Sequence, residues 1–121
     1  MRKLSIVLAF IAFIHLGYAQ KASVSGTVET MKENVSKGTL NFTMPQSTSS
    51  DEINRTSQYY VDYFTVDYNE STKNAKISMI DNSPEGRRVV TRFLLSNKVS
   101  VIVFNENEYK ITEFYDNFLK N

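Results

Sequence analysis

The sequence predicts an α+β domain in which two helices cover a four-stranded antiparallel sheet and a further helix follows. Three observations carry this prediction. Short segments alternate apolar and polar residues, as half-buried strands do. Helix-start signals stand between these segments. The last residues repeat apolar side chains at helical spacing. A length of 121 residues allows one domain.

The first predicted strand covers Thr39–Met44. Leu40, Phe42 and Met44 alternate there with polar residues. Pro45 ends the segment, because proline has no N–H to donate to a neighbouring strand.

A helix is predicted next, from about Asp51 to Val61. Ser49 precedes Glu52 by three positions, which is the spacing of a capping box. Asp51 and Glu52 place negative charge in the first turn, where the helix dipole favours it.

Two further alternating segments predict a β-hairpin. Phe64–Tyr68 and Ala75–Met79 flank the polar residues 69–74.

The second helix is predicted to begin at Ser83-Pro84, a cap serine followed by proline at the first helical position. Asn97 is predicted to stop it in the left-handed conformation. Arg87, Arg88 and Arg92 are assigned mostly to its solvent-facing side. The apolar face is formed by Val89, Val90, Phe93 and Leu94.

The segment Val99–Phe104 is β-branched and nearly continuously apolar, as in a central or well-covered strand. Residues 105–108 are interpreted as a polar, acidic turn. A final amphipathic helix is predicted from the spacing of Ile111, Phe114, Tyr115, Phe118 and Leu119.

From Thr39 onward the predicted order is β-α-β-β-α-β plus a last helix, which is the ferredoxin-like arrangement. The predicted ferredoxin-like domain covers residues 38–121. Residues 20–37 are set apart as a leader with two open interpretations. Val24 and Val28 suit one face of a strand, whereas Val28, Met31 and Val35 suit one face of a helix.

Residues 1–19 predict a secretory signal peptide. The basic start Met1-Arg2-Lys3 precedes an apolar run from Leu4 to Leu16, shorter than the about 20 residues that span a bilayer. Cleavage is predicted after Ala19. The expected location is the periplasm or the cell exterior, with no membrane anchor after cleavage.

Composition narrows the chemistry. The chain has no cysteine, and its single histidine, His15, lies in the predicted leader. Thiol chemistry, cysteine metal sites and a Ser–His pair are therefore excluded from the mature chain. The 14 Lys+Arg nearly balance 13 Asp+Glu, which argues against a nucleic-acid partner. No cofactor motif is present.

Over about Thr39–Phe104 the chain resembles heavy-metal-associated domains, the small copper chaperone modules, in element order, element lengths and hairpin. That family carries Met-x-Cys-x-x-Cys after its first strand. Counted from Met44, the two cysteine positions hold Gln46 and Ser49. The resemblance therefore implies the fold and argues against the family's metal transfer.

Two other functions stay open. A degenerate metal-handling domain would use thioether ligands, Met44 with Met31 or Met79. A carboxylate enzyme would use a close pair of acids. The candidate pairs are Asp62 with Asp67, and Asp51 with Glu52.

The favoured prediction is an exported, non-catalytic module that binds a protein or ligand or serves a structural role, with an envelope or secreted protein as partner. No catalytic or metal-binding residue is assigned. Tyrosine and arginine are enriched at protein interfaces. The predicted binding residues are Tyr59, Tyr63, Tyr109, Tyr115, Arg88 and Arg92.

Overall fold

The computed structural model describes residues 20–121, which form one six-stranded mixed sheet and four helices. The strands are β1 (Gln20–Val24), β2 (Thr39–Thr43), β3 (Phe64–Asn69), β4 (Asn74–Met79), β5 (Val99–Phe104) and β6 (Asn107–Lys110). The helices are α1 (Val28–Lys37), α2 (Ser50–Ser57), α3 (Pro84–Ser96) and α4 (Ile111–Phe114). A 3₁₀ turn, Gln58–Tyr60, extends α2, and a π-helical segment, Tyr115–Leu119, extends α4.

The strand order β3-β4-β2-β1-β5-β6 shows that the predicted four-stranded ferredoxin-like sandwich is wrong. The four strands predicted from Thr39 onward are present, but β1 lies between β2 and β5, and β6 is added at one edge. β1 runs antiparallel to β2 and parallel to β5, with Lys21 opposite Val101. Residues 20–37, interpreted as a leader, thus belong to the sheet and its covering helices.

The helical interpretation of residues 20–37 holds for Val28, Met31 and Val35, whereas the strand interpretation holds for Val24 but not for Val28. Residues up to Val24 form β1, and Val28 begins α1, which buries Met31 and Val35. Thr27 caps α1 by accepting a hydrogen bond from the Thr30 N–H.

β1 and β6, the two strands that were not predicted, pair with the two edges of β5. Its apolar residues predicted a well-covered strand, and the structure confirms this by pairing it with β1 on one side and β6 on the other. Ala22 of β1 faces Ile102, and both are fully buried. An edge position would leave the backbone groups of this apolar strand unpaired.

β6 replaces the second half of the predicted acidic turn, residues 107 and 108. Asn105 and Glu106 both have positive φ, 52° and 66°, and they join β5 to β6 in a two-residue hairpin. Two positive φ angles are the mark of a type I′ turn, whose twist matches that of the strands.

The sheet has one covered and one open face. Leu40 and Phe42 of β2 are buried beneath the helices, whereas Asn41 and Thr43 between them are exposed. On the open face Lys21 and Glu108 form an ion pair of 2.7 Å. One apolar core therefore lies between the sheet and a single layer of helices.

α3 begins as predicted, with Ser83 accepting a hydrogen bond from the Gly86 N–H and Pro84 at the first position. Its end differs. Lys98 rather than Asn97 has the left-handed conformation, with φ of 69°. The Asn97 side chain is buried instead and donates to the Phe93 carbonyl and to Thr56 Oγ1, each at 3.0 Å.

The predicted signal peptide lies outside the described residues. Among residues 20–121, none of the helices combines the length and the apolar character that crossing a bilayer requires.

Candidate functional site

The exposed apolar side chains lie in segments that hydrogen bonds join to one another. Residues 20–121 expose five large hydrophobic side chains: Tyr59, Val61, Tyr63, Ile80 and Leu95. Three lie between α2 and β3, one follows β4, and one lies in the last turn of α3. We call these five residues the apolar patch. Tyr59 is 76% exposed, so packing within the chain does not account for its position.

Hydrogen bonds bring the three parts of the apolar patch together. The backbone N–H groups of Ile80 and Asp81 donate to the Tyr63 carbonyl at 2.8 and 3.1 Å. Tyr60 and Ser96 join their hydroxyls at 3.2 Å, which ties the α2–β3 segment to the end of α3. Tyr60 also stacks on Phe64 at 5.8 Å, so the segment rests on the core.

Two of the predicted arginines border the apolar patch. Tyr63, Arg88 and Arg92 line one cavity of about 300 Å³ with Glu85 and Val89. Arg88 and Arg92 are one helical turn apart on α3, so their side chains project from the same face. The structure therefore brings Tyr63, Arg88 and Arg92 to one cavity, and Tyr59 lies four residues before Tyr63 in the segment between α2 and β3.

Tyr115 lies on the other side of Arg88. The Arg88 guanidinium carbon is 5.8 Å from the centre of the Tyr115 ring, within the range of a cation–π contact. The Tyr115 hydroxyl donates to the Pro84 carbonyl at 2.9 Å, which fixes the ring against the start of α3. Tyr115 thus positions Arg88 and is only half exposed itself.

Tyr109 does not join this region. It lies on β6, and its ring packs edge-to-face against Phe114 and Phe118 at 6.2 and 5.2 Å. Its contacts are those of a side chain covering the core.

Val61, Ile80 and Leu95 are members of the apolar patch that sequence reasoning missed. Val61 was predicted as the last residue of a helix, but α2 ends at Ser57 and its 3₁₀ extension ends at Tyr60. Ile80 follows Met79 directly, outside the alternation of β4, and Leu95 lies beyond the apolar face of α3. Apolar residues out of phase with the buried face are the signal that would have found the last two.

The loop between β2 and α2 is filled rather than open. Thr48 is buried, and its carbonyl accepts hydrogen bonds from the Tyr68 hydroxyl and from Lys73 Nζ, both at 3.1 Å. Burial, with a smaller contribution from nearby Glu70, raises the pKa of Tyr68. The loop therefore rests on the β3–β4 hairpin and forms no cup for a metal ion.

Glu70, which follows β3 in the hairpin, forms a second contact, with the start of α2. Its carboxylate accepts a 2.6 Å hydrogen bond from the backbone N–H of Ser50, the first residue of α2. This bond, assisted by Lys73, lowers the pKa of Glu70 below its usual value.

The methionines proposed as metal ligands are spread through the core. Met31 and Met44 are buried, and Met79 is packed against the same core. Met44 and Met79 lie at opposite ends of the β2–β4 pair. Six residues of strand separate their positions, roughly 20 Å. These two sulfur atoms therefore do not share one ion in this fold.

The candidate acid pairs lie on the surface. Asp51, Asp62 and Asp67 are exposed, and Asp67 stands opposite Lys76 in the β3–β4 register. Within residues 20–121 no cluster of three or more His, Cys, Asp or Glu side chains is arranged to hold a metal ion.

Comparisons with protein-family models, curated proteins and solved structures found no match to this chain.

Proposed function

We propose that this protein is an exported, non-catalytic module that binds another protein through the apolar patch. The observation that carries the proposal is that hydrogen bonds join the three segments that bear all five exposed large hydrophobic side chains of residues 20–121. Scattered exposed apolar residues need no explanation, but a cluster with a polar rim is typical of an interaction site.

The residue types support a protein partner. Tyr59 and Tyr63 offer rigid, amphipathic contact area that loses little conformational entropy on binding. Arg88 and Arg92 supply charged donors beside that apolar surface, and Tyr and Arg dominate the energetic centres of protein interfaces. Glu85 and Asp62 provide acids at the rim.

The patch also has a fixed shape. Its α2–β3 segment is tied to α3 by the Tyr60–Ser96 contact and to β4 by the Tyr63–Ile80 bond. A surface that is ordered before binding avoids part of the entropy cost of association. The same argument favours a preformed interface over a segment that folds on its partner.

Site-specific photocrosslinking in the native envelope tests the proposal. A benzoylphenylalanine at Tyr59 is expected to give a discrete adduct with another protein. The same group at Lys76, on the open face of the sheet, is the matched control and is expected to give none. Equal adducts from both positions, or none from either, would contradict the proposal.

Affinity measurements with the captured partner complete the test. Tyr63→Ala and Arg92→Gln are each expected to weaken binding about tenfold or more, as central interface residues do. Lys76→Gln removes the same charge from the open face of the sheet and is expected to leave the affinity unchanged. Hydrolase turnover that Asp62→Asn or Asp67→Asn abolishes would overturn the non-catalytic assignment in favour of the carboxylate enzyme.

A further inference from the structure

Arg87 is the most deeply buried charged residue in the described part of the chain, at 5% exposure. The sequence assigned it to the wet side of α3 with Arg88 and Arg92, and this assignment is wrong. Its Nε donates to the Leu119 carbonyl at 2.6 Å, and its Nη1 donates to the Asn82 carbonyl and to Asn82 Oδ1 at 2.9 and 2.8 Å. The guanidinium therefore has a fixed orientation.

All of these acceptors are neutral. No carboxylate of residues 20–121 lies within 4.0 Å of the Arg87 guanidinium. A buried charge is costly unless it is paired, because low-polarity surroundings replace its hydration. Arg87 thus carries a positive charge that the described part of the chain does not neutralise.

One nitrogen of Arg87 remains available. Nη2 makes no hydrogen bond to a described residue. Among residues 20–121, Asn97 Oδ1 is the one polar side-chain atom that is both fully buried and without a hydrogen-bond partner. Because Arg87 Nη2 also has no partner among these residues and is not in that class, Nη2 is not fully buried. Arg87 lines a cavity of about 590 Å³ between α1 and the C-terminal residues.

The lining of this cavity combines an apolar wall with polar and positively charged side chains. Val28, Met31 and Val35 of α1 and Phe118 supply the apolar wall, and Arg87 and Lys32 supply positive charge. Neutral polar side chains complete the lining: Ser36, Asn82, Asn117 and Asn121. No Asp or Glu side chain lines it. The volume falls in the range of small-molecule sites, which combine apolar walls with a few fixed polar groups.

From this combination we infer that the cavity binds a small amphipathic carboxylate, with the carboxylate on Arg87 Nη2 and the aliphatic tail along α1. Guanidinium and carboxylate form strong charge-assisted hydrogen bonds. The site is independent of the apolar patch, because none of the patch residues lines it. Asn82 also donates to the Val35 carbonyl at 2.9 Å, so one residue links the charged end of the cavity to its wall.

The test is a titration followed by NMR, with decanoate, decan-1-ol and acetate as the probes. Decanoate is expected to bind saturably and to shift amide signals in α1 and residues 117–121. Decan-1-ol keeps the tail without the charge, and acetate keeps the charge without the tail. Each is expected to bind at least about tenfold more weakly, the size of one charged hydrogen bond or a few buried methylenes.

Variants assign the effect to the cavity. Arg87→Gln is expected to weaken decanoate binding at least about tenfold. Arg55→Gln, an equal change in charge on exposed α2, is expected to leave it unchanged. Val28→Phe narrows the cavity without touching Arg87 and is expected to abolish binding. This second variant and the three wild-type titrations decide the question even where Arg87→Gln does not fold.

Several results would overturn the inference. They are failure of decanoate to saturate, equal binding of decanoate and decan-1-ol, equal binding of decanoate and acetate, or signal shifts outside the cavity. Arg87 would then serve only to tie the Leu119 carbonyl to α3.

Discussion

The backbone N–H of Ile80 donates to the Tyr63 carbonyl at 2.8 Å, so two exposed apolar side chains from the ends of β3 and β4 are held side by side. The bond continues the β3–β4 pairing one step past Phe64 and Met79. The β3–β4 hairpin therefore sets the distance between Tyr63 and Ile80 in the apolar patch, the surface proposed to bind a partner.

Ile80→Ser is expected to leave the free energy of unfolding within about 0.5 kcal/mol of the wild type, because Ile80 is 62% exposed. The same change is expected to weaken partner binding. Urea denaturation measures the first quantity and titration with the crosslinked partner the second. A large loss of stability would show that Ile80 belongs to the core and not to a binding surface.

Gly86→Ala is expected to destabilise the protein, although alanine suits a helix better than glycine by about 1 kcal/mol. A Cβ at Gly86 would overlap the Asp81 carbonyl oxygen, a backbone atom that has little room to move. Forced overlap of this kind costs about 1–3 kcal/mol. A lower midpoint of urea unfolding is the expected readout, and an unchanged or higher midpoint would refute the contact.

Glu106→Gly is expected to stabilise the β5–β6 hairpin by about 0.5–1 kcal/mol. Glu106 has a φ of 66°, a conformation that costs an L-residue about 1–2 kcal/mol and glycine almost nothing. Thermal unfolding measures the gain. Glu106→Ala removes the same charge without relieving the backbone and is the matched control; an equal gain in both variants would point to charge instead.

Glu70 is expected to make stability depend on pH in the acidic range. Its folded pKa is lowered, chiefly by the hydrogen bond from the Ser50 N–H. The contribution is therefore fully present above the usual carboxyl pKa and is lost as pH falls through the lowered folded value. Urea midpoints across this range should converge for wild type and Glu70→Gln at the acid end.

The control for that experiment is Glu33→Gln. It removes an exposed carboxylate that pairs only with Lys37 on the surface of α1 and contacts no helix N-terminus. The urea midpoints of Glu33→Gln are expected to follow those of the wild type across the acidic range. If they differed from the wild type as much as the midpoints of Glu70→Gln do, the Ser50 contact would have no special role.

Local patterns were enough to find most elements but not to arrange them. The alternation of Leu40 and Phe42 and the cap at Ser83 predicted β2 and the start of α3, because both depend on residues close in the chain. The sequence did not decide whether β1 is a strand, because β1 pairs in parallel with β5, with Lys21 opposite Val101. Parallel strands are not joined by a short hairpin turn, so no local turn signal predicts the pairing.

The candidate sites divide in the same way. Tyr59, Tyr63, Arg88 and Arg92 were found from residue type alone, since tyrosine and arginine favour interfaces wherever they are exposed. Arg87 was misassigned because its charge was taken as a sign of exposure, although helical spacing places it on the same face as the buried Val90 and Leu94. Residues 115–119 pack against α3, and the Leu119 carbonyl accepts a hydrogen bond from Arg87.

By itself the sequence determined four of the five strands and the helix segments from Thr39 onward, the chemistry that a chain without cysteine excludes, and the residue types available for binding. These follow from short-range periodicity and from composition. The tertiary structure alone decided the six-stranded order, the joining of the apolar patch from three segments, and the hydrogen bond between Arg87 and the Leu119 carbonyl. Each depends on contacts between residues far apart in the chain, which the free energy of the whole fold selects and local spacing does not encode.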